Sequence, residues 1–115
     1  IWKLVKYGID TFDCVSPTRL ARHGTVLVKT RLGKLNIKNS KHKDDLLPID
    51  NKCHCMTCKN FSKSYLNHLF NANELLGYQL ISIHNIYFMN KLMETIRMAI
   101  DHDCVSETEA SWYLD

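Results

Sequence analysis

Cys53-His54-Cys55-Met56-Thr57-Cys58 is the stretch on which the reading of this 115-residue chain turns. It puts three thiols within six residues. Zinc takes four soft or borderline ligands in a tetrahedron, so three clustered thiolates need one donor from elsewhere to close the shell. Left unliganded in a small core, the same thiols would be reactive groups near a surface. His84 is the candidate fourth ligand, with His54, His68 and His102 as competing donors. His54 lies between two of the thiols and would have to fold back on its own loop. His68 falls mid-helix and His102 beyond the last helix. Reaching His84 requires one helix to run out from the cysteines and the chain to return. Four protein ligands leave no open coordination position, which makes the expected metal, one Zn2+, structural.

Apolar spacing downstream supplies the required helices. Phe61, Tyr65 and Leu69, with Leu66 and Phe70, form one stripe and predict a helix over residues 61–76 that Gly77 stops. Met89, Leu92, Met93, Ile96 and Ile100 predict a second over residues 84–100, packed antiparallel to the first. The remainder, 101–115, reads as a polar stretch holding Trp112 and Tyr113.

Upstream, residues 25–30 and 34–38 are β-rich, and the Arg31-Leu32-Gly33 connection between them predicts a hairpin. Residues 39–52 are charged, contain Pro48 and read as a surface loop. At the front, a helical turn from Trp2 is followed by Gly8 and an alternating run over 9–15 that predicts a strand. Pro17 is expected to end regular structure, leaving 16–23 as a polar loop with Arg19, Arg22 and His23. Cys14 reads as a small buried side chain on the strand, while Cys104 is uninformative.

Asp13 sits near the end of the predicted strand. In barrel enzymes the catalytic groups occupy the carboxyl ends of strands, where a carboxylate can act as nucleophile or base. The residues alone leave open a turn cap or a pairing with Arg19. Composition adds little: a net charge of +3 is too mild to mark a nucleic-acid binder. No apolar run approaches the roughly 20 residues of a membrane helix, so a soluble, cytoplasmic protein is expected. Clustered cysteines followed by histidines also fit a reducing compartment better than a disulfide framework.

Taken together, several stretches resemble the tRNA-guanine transglycosylases, of the bacterial type. They are Gly8-Ile-Asp-Thr-Phe-Asp-Cys-Val-Ser-Pro-Thr-Arg-Leu-Ala-Arg22, Leu35-Asn-Ile-Lys-Asn39, Pro48-Ile-Asp50, the Cys53 to Cys58 cluster, Ser62-Lys-Ser-Tyr-Leu66 and Ser82-Ile-His-Asn85. The resemblance implies an α/β fold, the C-terminal part of an irregular (β/α)8 TIM barrel with an attached zinc-binding subdomain of β-hairpin and helix pair. Residues 1–24 would be the end of the barrel, and 25–115 the zinc subdomain and C-terminal helices. A whole barrel needs about 250 residues, so most strands would lie outside this chain.

It further implies exchange of guanine at the anticodon wobble position of tRNA for a 7-deazaguanine base, preQ1 or queuine, through a covalent aspartyl-RNA intermediate. Asp13 matches the nucleophile. Thr18, Arg19, Leu20, Ala21 and Arg22 match the RNA-recognising segment, and Cys53, Cys55, Cys58 and His84 match the zinc ligands. A partner subunit is expected, either a second copy or a related non-catalytic chain. The second acid/base aspartate belongs to earlier segments of the family; Asp10, Asp44, Asp45 and Asp50 read as surface, turn or salt-bridge residues. The alternative reading is a non-catalytic, zinc-containing tRNA-binding or dimerisation module.

Overall fold

The computed structural model describes residues 1–113, so the last two residues of the 25–115 unit lie outside the described residues. Its spine is a 27-residue helix, α5 (Leu75–Asp101). Leu80 and Ile81 bury one end of α5 in the main core, and Leu92, Ile96 and Ala99 bury the other in a second core. No helix is long and apolar enough to cross a membrane.

This helix begins nine residues earlier than the predicted start at residue 84, because Gly77 does not stop the preceding one. The break lies at Asn73, whose φ of +56° turns the chain while the Glu74 amide bonds the Leu69 carbonyl at 2.9 Å. Gly77 is instead buried inside α5, where an added Cβ would stand 3.1 Å from Phe70 and 3.2 Å from Leu69. Glycine permits close approach of α4 (Lys63–Asn71). The predicted 61–76 helix therefore ends at Asn71. Its start is set by Ser62, whose hydroxyl accepts the Tyr65 amide at 3.1 Å. A separate short helix, α3 (Met56–Asn60), carries the end of the cysteine cluster.

The hairpin forms with shorter strands than expected, β1 (Thr25–Leu27) and β2 (Lys34–Asn36), antiparallel with Val26 opposite Leu35. Beyond the ladder, the Ile37 amide still bonds the Gly24 carbonyl at 2.9 Å, and Val26 and Ile37 are fully buried. Residues 39–52 are more than a surface loop. A 3-10 turn (Ser40–His42) buries His42, and Ile49 joins the core. Asn67 of α4 donates to the Ile37 and Asn39 carbonyls at 2.7 and 3.2 Å, and Lys63 pairs with Asp45 at 2.6 Å. Polar groups thus tie this segment to α4.

Two expectations at the front are corrected. Residues 9–15 form no strand: Ile9, Asp10, Thr11, Asp13, Cys14 and Val15 are exposed, and among the described residues no strand lies beside them. An extended run without a ladder partner does not become sheet. The two-stranded hairpin is the sheet among the described residues, and they show no barrel. Residues 16–23, read as a loop, contain helix α2 (Ser16–Arg22). Pro17 lies in its first turn, where a fixed φ and a missing N–H suit a helix start. Pro17 and Ala21 are buried as α2 packs on α5 and β1.

The polar tail also folds, as α6 (Val105–Trp112). Trp112 is buried against Trp2 of α1 (Trp2–Lys6), with ring centroids 6.3 Å apart, and meets the Phe88 ring of α5 edge-on at 5.8 Å. First and last helices therefore share the second core.

Candidate metal centre

Cys55 is the N-cap of α3, its thiolate accepting the Cys58 amide at 3.3 Å. That cap turns Cys58 back beside Cys55, while Cys53 approaches on the extended chain before it. Across from them α5 presents His84. Its Nδ1 lies 3.8 Å from Cys53 Sγ, 3.5 Å from Cys55 Sγ and 3.3 Å from Cys58 Sγ. All four donor atoms lie within 4.8 Å of one another. Zn–S bonds of about 2.3 Å and Zn–N bonds of about 2.0–2.1 Å at tetrahedral angles require S···N separations of roughly 3.5 Å. The donor set fits a metal, and its four members are positioned to hold one ion.

The histidine is oriented for that task. Nε2 lies 2.9 Å from the Leu27 carbonyl oxygen of β1, to which it donates, leaving the lone pair of Nδ1 facing the sulfurs. His84 is 1% exposed, so the tautomer is fixed by a carbonyl and not by water. Hydrogen bonds from the Cys58 thiol and the Cys58 amide hold the Cys55 thiol well below its usual value against the cost of burial. Cys58 is pushed up by the hydrogen bond it gives Cys55 and by burial, and Cys53 is raised by burial. A bound zinc would hold all three sulfurs as thiolates. The competing donors stand elsewhere. His54 and His68 are exposed, and His102 Nδ1 contacts the Met98 carbonyl at 2.8 Å.

Asn85, next to His84, is a positioning residue that the sequence reading missed. Fully buried, it accepts the Leu27 amide at 2.9 Å and donates to the carbonyls of Pro17 at 3.0 Å and Thr25 at 3.1 Å. One side chain thereby joins α5, β1 and the start of α2. An amide at a helix position otherwise facing apolar core was the available signal. Asn85→Ala is expected to lower unfolding stability by about 2–4 kcal/mol, since it strands three backbone groups, two of them in buried hydrogen bonds. Denaturant melts of the zinc-loaded chain measure this, and a loss near zero would mean that those groups find other partners.

The segment before the hairpin presents Asp13 exposed, followed directly by α2. Thr18 turns its hydroxyl onto the Val15 carbonyl at 3.2 Å. Arg19 and Arg22 are exposed, Leu20 is half-buried and Ala21 is 0% exposed. Of the five residues matched to RNA recognition, the arginines are therefore the ones that present charged side chains outward. Cys14 is exposed, not buried as expected, and its thiol is lowered chiefly by a hydrogen bond from the Ser16 hydroxyl.

A model of the queuine tRNA-ribosyltransferase family matches residues 1–115. The chain belongs to this family. Relatives named queuine tRNA-ribosyltransferase are similar along nearly all of it. That of Roseiflexus sp. is 51% identical over 110 residues, covering 94% of this chain and 28% of the relative. That of Cyanothece sp. is 53% identical over 105 residues, with 91% and 27% covered. That of Vibrio atlanticus is 50% identical over 109 residues, with 95% and 28% covered. The chain spans little more than a quarter of the length of these queuine tRNA-ribosyltransferases.

Proposed function

We propose that this chain supplies the nucleophile and part of the RNA-binding surface of a tRNA-guanine transglycosylase, with residues 1–24 as the end of its barrel and 25–115 as its zinc subdomain and C-terminal helices. The supporting observation is family membership along the whole chain, together with an exposed Asp13 directly before a helix bearing Arg19 and Arg22. The Asp13 carboxylate attacks the anomeric carbon of the wobble nucleotide as guanine departs, and the aspartyl-RNA ester is displaced by a 7-deazaguanine base, preQ1 or queuine. Two displacements at one carbon retain its configuration. Protonation of the departing guanine falls to a group in the segments of the relatives that this chain does not span.

The base must leave the anticodon-loop stack to be reached, and Arg19 and Arg22 hold phosphates or base edges while it does. With Cys53, Cys55, Cys58 and His84 as its four ligands, a bound zinc would keep no open position and would serve structure, not the displacement. His84 holds the hairpin to α5 through the Leu27 carbonyl, and Asn85 connects the same helix to α2. The reaction takes place in the cytoplasm, with a second copy or a related subunit as partner.

Supplying the chain with the N-terminal portion of a curated relative, tRNA and radiolabelled guanine should give labelled tRNA and an RNA–protein adduct that survives a denaturing gel. Folded, zinc-loaded chain giving neither product would instead be a non-catalytic tRNA-binding or dimerisation module.

A further inference from the structure

A cleft of about 470 Å3 opens beside the metal loop, between the hairpin connection, α5 and α6. Cys53 lies on its wall, as do Tyr87 and Trp112. Among the described residues, Lys29 and Lys91 reach it from separate parts of the chain, with Lys52 and Asp50 also on its wall. Neither Arg19 nor Arg22 lines it, so it is distinct from the surface of α2.

Resting on the tRNA reading above, we infer that this cleft is a second RNA-binding site, which takes a phosphodiester segment of single-stranded character. Its size suits a nucleotide. Ammonium groups serve phosphate as point charges, and the half-buried Tyr87 ring gives an unstacked base an aromatic surface to lie on. Lys29 is prepositioned, its Nζ 4.0 Å from the centroid of the Trp112 ring. Lys91 pairs with Glu94 across an exposed 2.6 Å contact, a pair weak enough for a phosphate to replace.

The test is fluorescence anisotropy of the zinc-loaded chain with a fluorescein-labelled RNA stem-loop over a range of salt. The double substitution Lys29→Ala with Lys91→Ala should weaken binding about tenfold or more and flatten the log–log salt slope by roughly 1 to 2, one phosphate per lysine. Lys91→Glu alone, which keeps Lys29 over Trp112, should weaken binding in the same direction. Lys41→Ala, outside the cleft, should leave it unchanged, and millimolar inorganic phosphate should not displace the RNA. Unaltered affinity and slope in both cleft variants, with Arg19→Ala still impaired, would overturn the cleft while sparing the proposed function. Equal losses in Lys41→Ala, or displacement by phosphate, would reduce the cleft to general electrostatics or a free-anion site and overturn it too. A wild-type chain that binds no RNA would overturn the cleft, while the proposed function stands or falls on the exchange assay with the N-terminal portion.

Discussion

Stripping zinc from the chain should unfold it. Structural zinc in small domains contributes an apparent binding free energy of about 10–16 kcal/mol at neutral pH. A whole domain is stable by only about 5–15 kcal/mol, so the metal term is as large as the margin it supports. The loss would be spread widely, because Cys55 and Cys58 belong to the main core and His84 is bonded to the hairpin. Without the metal, the four donors are left packed within 4.8 Å of one another with no bond to join them. Elemental analysis should give one zinc per chain. A strong chelator or Cys58→Ala should abolish the cooperative melt followed by circular dichroism, and acid should do the same as protons compete for the thiolates. A chelated chain that melts at the same temperature would show that packing alone supports this fold.

The metal site was legible because its information is local and its chemistry narrow. Three thiols in six residues admit few readings, and the choice of His84 needed only a helix that returns. The helix boundaries were less legible, because Gly77 marks a stop and a close packing contact with the same letter. Here Phe70 decides which it is, and Phe70 is seven residues away. Pro17 carries the same ambiguity, since it both ends structure and begins helices. The alternation over 9–15 describes a strand only if a neighbouring strand pairs with it, and among the described residues none does. Trp112 was unreadable for another reason. In an eight-residue, largely polar helix its burial depends on Trp2 and Phe88, contacts that no local pattern encodes.

Asp13→Asn should eliminate the RNA–protein adduct and reduce base exchange by a factor on the order of 10^4 or more, the scale on which covalent enzymes lose rate with their nucleophile. The amide keeps the shape of the carboxylate but cannot form the ester, so the loss isolates chemistry from packing. Asp13 is exposed and outside both cores, which means that zinc content and melting should match those of the parent chain. Asp13→Glu separates two roles that Asp13→Asn leaves merged. A carboxylate that acts as base can operate through a longer arm or a water, whereas a nucleophile must stand within about 3–3.5 Å of the reacting carbon, and a displacement near 1 Å costs roughly 10^2. Glutamate should therefore lose at least that factor and accumulate little adduct. Near-parental exchange in Asp13→Glu without any adduct would make Asp13 a base. Undiminished adduct in Asp13→Asn would move the covalent bond to another residue, with Asp10, three positions earlier, the first to substitute.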